Sequence, residues 1–299
     1  MAIGDPITAA RYNVIQSTVS NVLSTGSGDS GYGQTLQSSQ VAQNQLIEDD
    51  HMNNLRLDIR KAYLHQNNSY PTLTTVSTAD TVTDNTLNNS YATFETLATN
   101  INTNRNTISA SRLTTAATAS SYVRTSVWNA TRVGNFTVTF ASTTAARHFF
   151  NSGGAVQIDM NISGSATAKV TNWNSLFNTN MGTLTFANLA SSRSGSGGTL
   201  SSSVAYSTLT TTFQTVYTTS SAGTYSSNNF NIQVRFTDVS NLAIEFQITL
   251  NDAAAGNIDE DVNGNLNINV NRRIANGALS DPITIAEPTF GAMSSTVTA

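Results

Sequence analysis

The spacing of apolar positions divides the chain in two. Over the first third they recur every three or four residues, the period of a helix with one buried face; from about Ser121 they alternate with polar residues, the period of a half-buried strand. Ile7, Ala10, Val14, Ile15, Val19 and Val22 share one helical stripe. Asp5 followed by Pro6 supplies an N-cap with proline at the first helical position, where its missing N–H costs nothing. The helix is expected through Ser24, and the glycine-rich stretch from Thr25 to Gly33 ends it. Asp49 or Asp50 can cap a second helix carrying Met52, Leu55, Ile59 and Tyr63, which ends near His65-Gln66-Asn67-Asn68.

A third segment has the cleanest period. Leu87, Tyr91, Phe94, Ala98, Ile101, Arg105 and Ile108 step alternately by four and three, a heptad seam. Its remaining positions are largely Thr and Asn, poor helix formers, so the helix needs tertiary or intersubunit burial. Leu87, Tyr91, Phe94, Ala98, Ile101 and Ile108 are therefore the expected oligomerisation seam.

The alternating part reads as antiparallel strands. Phe136-Val138-Phe140, Val156-Ile158-Met160, Leu184-Phe186, Phe213 to Tyr217, Phe230 to Phe236, Leu242 to Leu250 and Leu266-Ile268-Val270 each turn every second residue toward a core. The expected fold class is α+β, a helical, coiled-coil-like region over 1–116 followed by an antiparallel β-sandwich over 117–299. Ser191 to Gly198 and Ser220 to Asn229 read as exposed loops at the sandwich ends.

Composition narrows the partners. Charged residues are 11% of the 299 positions, the net charge is −4, and about two residues in five are Thr, Ser or Asn. With only Lys61 and Lys169 as lysines there is no basic patch for a run of phosphates or an anionic membrane. The chain has no cysteine, hence no disulfide or thiolate site. Met1 to Pro6 lacks the character of a secretory signal and no eighteen apolar residues run together, so cytoplasmic synthesis without membrane insertion is expected.

Candidate chemistry is sparse. Gly26 to Gly33 superficially resembles a phosphate cradle, but no strand precedes it and no Gly-Lys-Ser/Thr closes it. Asp259, Asp261 and Asn263 place oxygens at alternate positions before Gly264, the first half of a calcium loop. Val270 stands where the bidentate carboxylate belongs, and a hairpin turning at Asn263-Gly264 is the preferred reading. His51 and His65 are too far apart to share a helical turn and read as cap or surface residues, while His148 beside Phe149 and Phe150 reads as packing. Trp128 and Trp173 could stack on sugars, although half-buried packing is the commoner use. No Gly-x-Ser-x-Gly elbow accompanies the histidines, and nothing in spacing pairs Asp159, Asp238, Glu245 or Asp252 across a cleft. The expectation is a protein that is not an enzyme and needs no cofactor, calcium being the single candidate.

Several blocks resemble a known group. Ala10-Arg11-Tyr12-Asn13-Val14-Ile15-Gln16, Gly26 to Gln34, Met52 to Ile59 with His65-Gln66, Asn104-Arg105, and Ala146-Arg147-His148-Phe149-Phe150-Asn151-Ser152-Gly153-Gly154 are similar, in the same order, to recurring blocks of fibre-like virion proteins of T4-like marine cyanophages. The resemblance spans most of the chain and implies a repeated subunit exposed on a tailed-bacteriophage particle, with helices at the attachment end and β-structure outward. Expected partners are further copies of the chain, a trimer being favoured, other virion proteins and a host surface glycan. The expected location is the virion, assembled in the host cytoplasm, in a tail fibre, baseplate or whisker-like component. A head decoration or sheath-like protein and a carbohydrate-binding module are the alternatives, and no catalytic residue carries over.

Overall fold

The hydroxyl of Thr8 accepts a hydrogen bond from the Arg11 N–H and starts helix α1, Ala9–Leu23, in the computed structural model, which describes residues 8–78, 91–116, 118–253 and 261–298. The Asp5-Pro6 start lies outside the described residues. The buried face of α1 is Tyr12, Ile15, Gln16, Val19, Val22 and Leu23, which keeps Ile15, Val19 and Val22 of the expected stripe but is rotated so that Val14 is 64% exposed. Polar groups explain the rotation: Tyr12 donates its hydroxyl to the His51 carbonyl and Gln16 its amide to the Ser38 carbonyl, so both enter the core satisfied.

Helix α2, Asp49–Asn67, is capped by Glu48, whose N–H donates to His51 Nδ1 at 3.0 Å. Asp49 and Asp50 occupy its first turn, where negative charge favours the helix dipole. Met52, Leu55, Ile59 and Ala62 are buried, and Asn68 ends the helix in the left-handed conformation. Helix α3, Tyr91–Thr103, buries Phe94, Leu97, Ala98 and Ile101 in one core with α1 and α2. The same chain thus covers Phe94, Ala98 and Ile101 of the expected seam. Leu87 lies outside the described residues, Tyr91 opens the helix, and Ile108 follows its end, half-buried against that core.

The chain is mixed helix and antiparallel sheet, and it divides into two compact units. One takes Met1–Thr114, Arg147–Gly153 and Ile274–Ala286; the other takes Thr115–Ala146, Gly154–Arg273 and Glu287–Ala299. The expected boundary near Ala116 lies close to the first crossing. Two later segments return to the helical unit because their apolar residues belong there: Ala275 and Ile283 join its core, and Phe149 and Phe150 are buried.

Strands β1 (Leu113–Thr115), β2 (Ser120–Arg124) and β3 (Thr131–Thr139) precede helix α4 (Thr143–Asn151). Then come β4 (Ala155–Ser163), α5 (Ala168–Asn174), which runs on as a π-helical segment Ser175–Met181, β5 (Leu184–Phe186), β6 (Ser192–Arg193) and β7 (Thr199–Leu200). Strands β8 (Gln214–Ser220), β9 (Asn229–Phe236), β10 (Ala243–Asn251), β11 (Asn265–Ala275), β12 (Thr289–Phe290) and β13 (Ser294–Thr298) complete the order. One sheet runs β1-β11-β4-β5-β6 with β2 also on β11; the other runs β12-β3-β10-β9-β8-β7 with β13 also on β3.

Strict alternation builds the centre of each sheet. Phe136 and Val138 of β3 lie opposite Phe246 and Ile244 of β10, which lie opposite Val234 and Phe236 of β9. The Phe136 and Phe246 rings stack at 4.8 Å, and Phe186 of the other sheet meets Phe246 edge-on at 5.4 Å. A chain of rings continues from Trp128 to Trp173 at 5.2 Å, to Phe177 at 5.6 Å and to Phe230 at 5.3 Å. Among the described residues, no helix is long and apolar enough to cross a membrane.

Candidate functional site

Two constellations stand out, one within each unit. In the helical unit the glycine-rich stretch folds back over the end of α1. The N–H groups of Tyr32, Gly33 and Gln34 donate to the carbonyls of Val22, Ser24 and Leu23, satisfying the helix terminus. The carbonyls of the stretch then receive cationic and amide donors: Arg147 Nη2 and His148 Nε2 donate to the Thr25 carbonyl at 2.7 and 3.0 Å, and Arg147 Nη1 and Asn151 Nδ2 to the Ser30 carbonyl at 2.5 and 2.9 Å. A phosphate cradle presents N–H groups inward; this loop presents carbonyl oxygens, and its ligand is a segment of its own chain.

Other resemblance blocks close on the same loop. Arg105 forks onto Asp29, Nε to Oδ1 at 3.1 Å and Nη2 to Oδ2 at 2.7 Å, which holds the Asp29 carboxyl below the usual carboxylate range. Tyr32 donates its hydroxyl to the Arg105 carbonyl, and Gln66 donates its amide both to that hydroxyl and to the Ile101 carbonyl. His65 Nε2 donates to the Ser152 carbonyl at 2.9 Å while its ring meets Tyr32 edge-on at 5.2 Å. His65 is not a surface residue: burial pushes its imidazole down to about 4. Burial likewise lowers His148 and raises Tyr32.

In the β unit, β4 and β11 turn a polar face outward. Asn269 Nδ2 donates to Asp159 Oδ1 at 2.8 Å and Asn271 Nδ2 to Asp159 Oδ2 at 2.9 Å, so one carboxylate bridges two amides; Asn267 donates to Asn161 at 2.7 Å alongside. The pairing register Asn269↔Asp159 and Asn267↔Asn161 brings these side chains together. Next to them a groove of about 430 Å³ is lined by Asp159, Asn271, Gln157, Thr185, Arg193 and Ser194 among others. Arg193 is fixed by the carbonyls of Asn180 and Gly197 and lies 5.6 Å from the Tyr217 ring centroid. The groove combines a carboxylate, amides, hydroxyls and a guanidinium, groups suited to a polyhydroxylated ligand.

Asp159 aside, the remaining candidate residues lie apart from these two constellations. Of the calcium set, Asp259 lies outside the described residues, Asp261 is exposed, and Asn263 Nδ2 donates to the Asp261 carbonyl. Among the described residues no three His, Cys, Asp or Glu side chains are grouped for a metal. Gly264, at φ +101°, leads into β11, whose asparagines at 265, 267, 269 and 271 face away from buried Leu266, Ile268 and Val270. Trp128 and Trp173, 2% and 0% exposed, are core residues and present no ring to a sugar. The four carboxylates have separate partners: Asp159 the asparagines, Asp238 Ser240, Glu245 Arg235, and Asp252 Lys169.

The last pair has no counterpart in the spacing of the sequence. Lys169 Nζ and Asp252 Oδ2 stand 2.8 Å apart with both side chains wholly inaccessible. The one local signal is the company Lys169 keeps on α5, with Val170 and Trp173 buried beside it. Comparison with known protein families, with curated proteins and with solved structures finds no match to this chain.

Proposed function

We propose that this chain is a structural protein of a tailed-bacteriophage particle, a tail-fibre, baseplate or whisker-like component that assembles in the host cytoplasm with copies of itself and with other virion proteins. The carrying observation is the mutual contact of the blocks that resemble cyanophage fibre-like proteins. They are scattered over more than a hundred positions, yet Arg105 grips Asp29, Tyr32 reaches Arg105, Gln66 reaches Tyr32 and Arg147 grips Ser30. Residues that meet across such distances pack as one unit. That supports transferring the group's context, an exposed and repeated subunit, to this protein.

In this reading the two sheets form a sandwich, supported by the contact of Phe186 in one with Phe246 in the other. The outward polar face of β4 and β11 serves adhesion, and the chain acts mechanically, without catalysing a reaction on a substrate or using a cofactor. Self-association, with a trimer favoured, uses surfaces other than Phe94, Ala98 and Ile101, which the protomer already buries. Cryo-electron microscopy of the particle tests the assignment. Density at the tail or baseplate supports it; density on the head or along the shaft replaces it with a decoration or sheath role, and absence from the particle overturns it.

The groove beside Asp159 favours a second reading, a carbohydrate-binding module. A glycan array probed with and without calcium, using the natural chain and Asp159→Ala, decides. Binding that Asp159→Ala abolishes places the ligand in the groove, whereas silence in every condition removes this reading.

A further inference from the structure

We propose that Lys169 and Asp252 condense into an intramolecular isopeptide bond, a covalent cross-link between α5 and the end of β10. Three observations lead there. The nucleophilic nitrogen and the carboxylate oxygen are in contact at 2.8 Å, and both side chains are 0% exposed. Both backbones are fixed: Thr167 caps α5 two residues before Lys169, its hydroxyl accepting from the Val170 N–H, and Asp252 follows β10, which is paired along both edges. The residue after Asp252 is held as well, since the Ala253 N–H donates to Oδ1 of the fully buried Asn228.

Both side chains are shut off from solvent. Trp173 lies one turn beyond Lys169 on α5, and Leu250, two residues before Asp252, pairs with Phe230, whose ring meets Phe177. A lysine–carboxylate pair in such a place suffers a desolvation penalty that its mutual attraction offsets only in part. Condensation removes both charges and leaves an amide. In bulk water the reverse reaction wins because water is abundant; a pair held in contact and shut off from solvent is spared that competition and has a high effective concentration.

The atoms balance without a co-reactant. Nζ passes a proton to the carboxylate, giving an amine and a carboxylic acid. The Nζ lone pair attacks Cγ and forms the C–N bond. After proton transfer from nitrogen to the departing hydroxyl, the C–O bond breaks and one water leaves. Nζ retains one hydrogen, Cγ retains one oxygen, and no oxidant or reductant takes part. The bond makes no turnover on a substrate, and it stands whether or not the virion reading does.

Intact-protein mass spectrometry of the folded full chain, followed by peptide mapping, tests the proposal. The expected result is a mass lower by one water, a branched peptide joining the Lys169 and Asp252 segments, and loss of tryptic cleavage after Lys169. Lys169→Arg and Asp252→Ala should each restore the full mass and remove the branched peptide, while Asp252→Asn should cross-link with loss of ammonia instead. A folded natural chain that shows the full sequence mass and ordinary cleavage after Lys169 overturns the proposal and leaves the pair an ion pair. So does a dehydrated chain whose branched peptide is missing.

Discussion

The imidazole of His148 occupies the space that a β-carbon on Gly33 would need. Gly33 also has φ +72°, a conformation L-residues adopt at a cost. Gly33→Ala should therefore destabilise the chain by about 1–3 kcal/mol, read as a fall in the thermal midpoint. Adding His148→Ala should relieve the overlap but leave the dihedral cost of about 1 kcal/mol, so the two changes should be non-additive.

His65 makes the helical unit sensitive to acid. Its folded value of about 4 lies below the ordinary 6.5, so between those values the unfolded chain binds the extra proton. The sign follows: this contribution is complete above about pH 6.5 and is lost as pH falls toward 4. From pH 7 to pH 5 the loss should be about 2 kcal/mol. Denaturant titrations of the natural chain and His65→Asn check this, and an equal slope in both would assign the acid sensitivity elsewhere.

Asp58 organises the segment before α2. Its Oδ1 accepts from the Gln37 N–H at 3.0 Å, and its Oδ2 accepts from the Ser38 N–H and hydroxyl at 2.9 and 2.6 Å, with the residue 1% exposed. Asp58→Ala leaves three donors without their acceptor and should cost about 2–4 kcal/mol. Amide hydrogen exchange at Gln37 and Ser38 should rise in the variant, and unchanged protection there would contradict the role.

Phe94→Asp should unfold the helical unit, because the ring sits 1% exposed in a core made by one chain. Burying an unpaired carboxylate and losing the ring should together cost more than about 3 kcal/mol. Circular dichroism and light scattering separate the outcomes. A variant that keeps its helical signal and only changes its oligomeric state would return the stripe to a subunit interface.

Asp159→Ala, by contrast, touches a solvent-facing network and should shift stability by no more than about 1 kcal/mol. A much larger loss in thermal unfolding would make the asparagine bridge a structural tie rather than a surface available for binding.

What could be read from the sequence follows from period. Strands β4, β9 and β10 place an apolar residue at every second position, as do the Phe136–Val138 part of β3 and the Leu266–Val270 part of β11, so their existence and inner face are local properties. Register is not local. Asp159 and Asn269 were both recognisably outward, but only the pairing of β4 with β11 sets one against the other. Helix α4 is only nine residues long, and its buried face, Ala146, Phe149 and Phe150, is a single i, i+3, i+4 turn, too short to establish a period in the sequence. Helix α3 carries Phe94, Ala98 and Ile101 of the heptad positions on its buried face, and spacing alone does not say whether the covering helices come from the same chain. The buried Lys169–Asp252 contact spans 83 positions and leaves no periodic trace.

The division of the helical unit among three stretches has a consequence for the order of events at the ribosome. Gln34 exchanges hydrogen bonds with the backbone of Thr284 across 250 positions, and Arg147 reaches Ser30 across 117. Closing such loops is entropically costly before any contact repays it, and topologies dominated by distant contacts form slowly. The helices that are synthesised first must therefore wait, incompletely covered, until residues 274–286 have emerged, although most of the β unit is translated in the interval. A nascent chain of this design is vulnerable to premature association during that wait, and its maturation is timed by the arrival of a short late segment.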